Sequence, residues 1–283
     1  MGFDAVQVYR GLDAATAKPP REQRERVRHH VLDCIDPRTD FSLAAFVALA
    51  EQALDEIRSR RAPAILAGGT GLYLRGLLRG IVPAPPRDAR LRARLHALAE
   101  RRGPAALHRL LARIDPESAR RLSPSDAQRV ARAVEFGLLA GEPFSARLAG
   151  TGTWASGRER FATLKVGLTL ERAELYARLD RRVEAFFAGG LVEEVERLLV
   201  AGLPPGANAL KAIGYREVAA ALASGGDPRA VVEDVKRNTR RYAKRQLTWF
   251  RGEPDVVWLD AGAGIPPLVD AVLARWRGVA ESR

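Results

Sequence analysis

The stretch APAILAGGTGLYLRGLL, residues 62–78, decides the fold. It reads as a short apolar run, a glycine-rich turn, and then a helical pattern. Ahead of it, FSLAAFVALAEQALDEIRSRR (residues 41–61) spaces Phe46, Leu49, Ala50, Ala53, Leu54 and Ile57 by three and four. That spacing predicts an amphipathic helix, with Asp40 or Ser42 available as its N-cap. Helix, buried strand, glycine turn and helix make an α/β unit, and so short a strand suits the interior of a parallel sheet. Ligands of such sheets bind at the carboxyl ends of the strands, where Gly68, Gly69, Thr70 and Gly71 fall. Glycines let a backbone approach a ligand closely, and the amides of a helix start favour an anion. A plain tight turn with Thr70 as N-cap is the competing reading.

Outward from this unit, DAVQVYR (residues 4–10) places Val6, Val8 and Tyr9 as an apparent strand end. Asp4 then stands at the same sheet edge as Thr70, as a general base or as an ordinary turn carboxylate. FATLKVGLTL (161–170) and DVVWLD (255–260) predict two further strands. Between them, VPAPPRDARLRAR (82–94) breaks the rhythm with three prolines. Helical patterns follow from Ala89 to Ala149, separated by Pro104, Pro116 and Pro124. The resulting map is an α/β core over 1–87 and 161–283, interrupted by a helical insertion over 88–160.

The 283 residues carry 46 Lys+Arg against 34 Asp+Glu, a net charge of +12. Base composition explains the preference for arginine over lysine but not the positive excess, which points to a polyanion. A single cysteine, Cys34, rules out an internal disulfide and cysteine-cluster metal sites. With no membrane-length apolar run and no secretory pattern, a cytoplasmic protein that does not enter a membrane is expected.

Basic residues concentrate in three places. In SPSDAQRVARAVEF (123–136), Gln128, Arg129 and Arg132 can share one polar helix face, for phosphate and base-edge contacts or simply for solvent. In LTLERAELYARLDRRVEAFF (168–187), Arg172, Arg178, Arg181 and Arg182 follow a strand and can reach a phosphate or line a solvated helix. DVKRNTRRYAKRQLTWFRGE (234–253) carries two adjacent rows, Lys236/Arg240/Lys244 and Arg237/Arg241/Arg245. No acid lies between Lys236 and Arg251, so a continuous cationic stripe is expected, with Val235, Tyr242 and Trp249 docking the helix from another side.

DAVQVYRGLDAATAKP, HHVLDCIDP, AGGTGLYLRGLL, DAQRVARAVEF, GLVEEVERLL, ALKAIGYREV and TRRYAKRQLTWFR, in this order along almost the whole chain, resemble the tRNA dimethylallyltransferase (tRNA isopentenyltransferase) family. The resemblance implies an ATP-binding type of α/β fold, a P-loop-kinase-like parallel sheet core with an inserted helical domain. It implies transfer of a dimethylallyl group from dimethylallyl diphosphate to N6 of adenine 37, beside the anticodon in the anticodon stem-loop of tRNA. Asp4 matches the family's base and Thr70 the threonine that helps hold the reacting centre. Arg92 matches a further substrate contact. Asp4, Ala5, Val6 and Gln7, and Gln128, Arg129, Val130, Ala131 and Arg132, match segments that touch tRNA. Lys236, Arg240, Arg241, Lys244 and Arg245 would add phosphate contacts, and Arg172 and Arg178 would hold the diphosphate.

The family's leaving group is handled by a G-x-x-x-x-G-K-[ST] loop with Mg2+. No such string occurs in the 283 residues, and no residue among them is assigned as a metal ligand. The first strand and phosphate loop are therefore expected to be missing, with activity impaired. Losing one such donor typically costs about 10²–10³ in rate. Ala5 also stands where the family commonly has serine. A monomer is expected. An isopentenyltransferase acting on a free adenine nucleotide, and a non-catalytic tRNA-binding remnant, are the alternatives.

Overall fold

The computed structural model describes residues 1–150 and 157–281. It is mostly helical, and its one sheet is small: β1 (Lys165–Thr169) pairs in parallel with β2 (Val256–Asp260), from Lys165 opposite Val256 to Thr169 opposite Asp260. Both strands fall within the stretches 161–170 and 255–260 that the sequence reads as strands. The expected larger sheet is corrected at two places. Residues 62–67 form a single parallel bridge, Ala67 to Gly2, rather than a buried strand. They are held along one edge only: Ala67 N–H donates to Met1 O (3.0 Å) and Phe3 N–H to Ala67 O (3.0 Å). Ile65 is consequently 75% exposed. Residues 5–8 are a turn, not a strand end, because the Asp4 Oδ1 accepts from the Val6 N–H (2.8 Å) and the Gln7 N–H (3.2 Å). A short carboxylate that bonds its own downstream amides offers the backbone an alternative to a ladder.

The chain divides into two compact units, residues 1–77 with 161–283, and residues 78–160. In the first, Ser42 caps the helix Leu43–Ser59 by accepting from the Ala45 N–H, and that helix buries Phe46, Val47, Ala50, Ala53, Leu54 and Ile57. Phe46 stacks on Tyr73 of the helix Gly71–Arg79 with ring centroids 4.3 Å apart. The helices Arg172–Ala188 and Val232–Arg251 pack through buried Val183 and Val235. The loop after Asp4 is pinned from far along the chain. Glu194 accepts from the Asp13 and Ala14 amides and from the Tyr215 hydroxyl, and burial together with that carboxylate raises the Tyr215 pKa. Lys18, nearly inaccessible, donates to Tyr9 O (2.7 Å) and pairs with Asp13 and Asp33.

The regular structure of the second unit among its described residues is helical, over 89–102, 104–114, 116–121, 127–140 and 144–150. Asp88, Asp115 and Asp126 cap three of these helices, and Pro104 and Pro116 open two of them, where a missing N–H costs nothing. Leu95, Leu107, Leu111, Val130 and Val134 form its core, each worth about 1.5–3 kcal/mol when fully buried. Positions 151–156 of the expected insertion lie outside the described residues.

Candidate active site

The glycine turn and the Asp4 loop are stitched together in the first unit. Thr70 N–H donates to Phe3 O (3.2 Å), and Thr70 Oγ1 accepts from the Ala5 N–H (3.1 Å). The segments carrying Asp4 and Thr70, far apart in sequence, thus meet through Phe3 and Ala5. With its Oδ1 occupied by two amides, the Asp4 Oδ2 accepts no hydrogen bond among the described residues. Burial, then the charges of Tyr9 and Asp4, push the Tyr73 pKa up to about 12. Burial and the Asp4 charge also raise the Tyr242 pKa, while the nearby Gln246 side chain and the Arg245 charge lower it.

The turn's glycines have a purpose that sequence reading assigned elsewhere. A Cβ on Gly68 would lie 2.8 Å from Phe3 backbone atoms, one on Gly69 1.9 Å from Gln246 Nε2, and one on Gly71 2.1 Å from Trp249 Nε1. These glycines admit the protein's own Phe3 backbone and the helix Val232–Arg251, not an open anion cradle. Gln246 Nε2 donates to Gly69 O (2.9 Å), and Arg75 lies over the Trp249 ring (4.3 Å) while pairing with Glu253. Gly71→Ala is expected to destabilise the chain by about 1–3 kcal/mol, as overpacking against a rigid indole does. Urea unfolding of the variant checks it.

That helix is only partly the cationic stripe expected. Lys236 pairs with Glu184 and Glu233, Arg240 with Asp180, and Arg237 with Asp234. Glu184 and Asp180 belong to the packed helix Arg172–Ala188, and Glu233 and Asp234 to the first turn of the helix Val232–Arg251 itself, so the acid-free run between Lys236 and Arg251 misjudges the field. Arg241, Lys244 and Arg245 remain exposed with no carboxylate partner among the described residues, and Arg245 leans over Tyr242 (5.7 Å). Arg172 and Arg178 are exposed, the latter paired with Glu174.

In the second unit, Arg92 and Arg132 converge on Glu135, which is 0% exposed: Arg92 Nε to Oε2 is 3.2 Å and Arg132 to Oε2 is 2.7 Å. The Asp88 N–H supplies a third bond (2.9 Å). Burial raises the Glu135 pKa, but Arg132, the Asp88 amide and Arg92 outweigh it and hold the carboxyl below its ordinary value. Gln128 and Arg129 are exposed, Arg129 beside Asp126. Val130 and Ala131, expected to touch tRNA, are instead core residues at 0% and 4% exposure, because the helix turns those positions inward. Glu135, Tyr73 and Gln246 were not singled out from sequence. A lone acid in an apolar helix face was the available signal for Glu135.

Among the described residues no group of three or more His, Cys, Asp or Glu is arranged to hold a metal ion. Among the same residues no helix is long and apolar enough to cross a membrane.

The IPP transferase family model matches residues 7–253. The tRNA dimethylallyltransferase of Geobacter metallireducens is 43% identical over 275 residues, covering 97% of this chain and 87% of that protein. The crystal structure of the full-length tRNA isopentenylpyrophosphate transferase from Bacillus halodurans superposes with a TM-score of 0.68 at 35% identity, covering 99% of this chain and 88% of that one. A eukaryotic dimethylallyltransferase seen acting on tRNA gives a TM-score of 0.75 at 26% identity, covering 92% of this chain and 66% of its own.

Proposed function

The chain belongs to the IPP transferase family, and from that premise we propose that it is a cytoplasmic tRNA dimethylallyltransferase that prenylates N6 of adenine 37. The carrying observation is the pinned Asp4 carboxylate beside Thr70, with one oxygen fixed by two amides and the other open. An exocyclic adenine amine is a poor nucleophile, since its lone pair is delocalised into the ring. As the N6–C bond forms and the allylic C–O bond breaks, Asp4 takes the N6 proton and the diphosphate leaves with the C–O electrons. Thr70 holds the reacting centre. The target base must leave its stack, at a cost of about a few kcal/mol, which contacts from Arg241, Lys244 and Arg245 to phosphates offset.

On this reading Arg172 and Arg178 meet the diphosphate, and Arg92, Arg132, Gln128 and Arg129 meet the RNA. Mg2+ is the diphosphate partner that the family implies, and no step above runs through it.

The test is mass spectrometry of nucleosides from modification-deficient tRNA incubated with the chain and dimethylallyl diphosphate. A gain of one dimethylallyl unit on adenosine supports the reading. Prenylation of free AMP and not of tRNA would assign the nucleotide-specific alternative, and salt-sensitive tRNA binding without prenylation the non-catalytic one. Repeating the assay with a G-x-x-x-x-G-K-[ST] segment supplied upstream tests the expectation that these residues alone transfer slowly.

Charge removal gives a further expected result. Neutralising Arg241, Lys244 and Arg245 together reduces the slope of log affinity for tRNA against log salt by about 2–3, since each phosphate contact contributes about 0.7–0.9. Neutralising the acid-paired Lys236, Arg237 and Arg240 reduces it less. Filter binding across a salt series checks both.

A further inference from the structure

We propose that Glu194 and Tyr215 are positioning residues: from two helices of the first unit they clamp the loop 13–17, and through Gln7 that loop holds the turn that orients the Asp4 carboxylate. The inference rests on the dimethylallyltransferase reading and deepens it.

Three consecutive amides meet the clamp. Glu194 Oε1 accepts from the Asp13 N–H (2.9 Å) and the Ala14 N–H (3.2 Å), and Oε2 from the same Ala14 N–H (3.2 Å). The Tyr215 hydroxyl accepts from the Ala15 N–H (3.3 Å) and gives its one proton to Glu194 Oε1. The loop then turns back on the Asp4 segment. Gln7 Nε2 donates to Thr16 O (2.9 Å) and Ala17 O (3.1 Å), which uses both of its protons. The Gln7 N–H in turn donates to Asp4 Oδ1 (3.2 Å). Every link from Glu194 to Asp4 is thus a hydrogen bond or a covalent step along the loop.

Two observations set the clamp apart from ordinary packing. Glu194 is 6% exposed on the helix Leu191–Val200, where the other buried positions are Leu191, Val192 and Val195, and no cation pairs with it among the described residues. A buried carboxylate without a counter-charge is costly unless hydrogen bonds hold it, and an apolar side chain would serve that core better. Ala17, whose carbonyl receives Gln7, has φ +50. Non-glycine residues keep that left-handed conformation only where their surroundings enforce it.

The test has an exchange arm and a kinetic arm, both on the full chain. In amide hydrogen exchange, Glu194→Leu and Tyr215→Phe lower protection at Asp13, Ala14 and Ala15 and also at Val6 and Gln7, while the helix Leu43–Ser59 reports an intact fold. Protection lost at 13–15 and kept at Val6 and Gln7 overturns the link to Asp4. In single turnovers with folded chain in saturating excess over tRNA, the rate constant does not depend on the fraction of chains folded, so a merely structural role leaves it unmoved. Glu194→Leu lowers it about 10–100-fold, as a displaced reacting group does, and Tyr215→Phe about two- to tenfold, with little change in tRNA affinity. Glu194→Gln, which keeps an oxygen for Asp13, Ala14 and Tyr215, restores most of what Glu194→Leu loses. Should the leucine variant fail to fold, Tyr215→Phe carries both arms, since it removes a single oxygen. A folded Glu194→Leu or Tyr215→Phe chain that transfers at the unsubstituted rate constant overturns the proposal alone. No prenylation by the unsubstituted chain, with or without the upstream segment, overturns the enzymatic reading and this proposal with it.

Discussion

An Asp4→Asn chain is expected to bind tRNA as the unsubstituted chain does and to transfer the dimethylallyl group about 10²–10⁴-fold more slowly, the usual contribution of a positioned general base. Asparagine isolates the chemistry. Its side-chain oxygen can still accept from the Val6 and Gln7 amides that Asp4 Oδ1 binds at 2.8 and 3.2 Å, so the turn survives. What is lost is the open carboxylate oxygen and its charge. Asp4→Ala removes the turn bonds as well, at about 1 kcal/mol each, and confounds rate with loop order. Single-turnover rates, read as modified adenosine by mass spectrometry, with tRNA affinity measured separately, decide the matter. An Asp4→Asn chain that transfers at the unsubstituted rate would remove Asp4 from the reaction.

Glu135→Ala should destabilise the second unit by about 3–5 kcal/mol, the cost of removing one partner from a buried ionic cluster. Glu135 is fully enclosed, and its two oxygens receive Arg92, Arg132 and the Asp88 N–H. Alanine leaves two half-enclosed guanidiniums facing each other and orphans the amide that begins the helix Ala89–Arg102. The pH dependence has a definite sign. The folded-state pKa of Glu135 lies below its ordinary 4.5, so the cluster's stabilisation is fully present above that value. It is lost as pH falls through the folded-state pKa, where the cluster must take up a proton. Urea unfolding at neutral and acid pH checks this: the gap between the unsubstituted chain and Glu135→Gln narrows on acidification. A gap independent of pH would mean that the carboxylate's charge contributes nothing.

Much of the local architecture was legible along the chain. Ser42 and the spacing from Phe46 to Ile57 predict the helix Leu43–Ser59, because capping and amphipathic periodicity act within a few residues. Residues 165–169 and 256–260 are strands, within the stretches 161–170 and 255–260 that read as strands. Residues 62–67 were misread, since an apolar run becomes a buried strand only when neighbours cover both edges and faces. Val130 and Ala131 belong to a basic, RNA-like string and yet face inward. Helix phase, not residue type, settles that.

Sequence alone determined the family and the cationic excess, because these reside in residue identity and order. Only the tertiary structure decided which cations remain free, why the turn needs three glycines, and that Glu135 gathers Arg92 and Arg132. Each of those depends on which side chains from distant segments come within a few ångströms, and neither charge counts nor spacing along one helix encodes that distance. A stripe with no acid between Lys236 and Arg251 is half neutralised by Asp180 and Glu184 on another helix and by Glu233 and Asp234 in the first turn of its own.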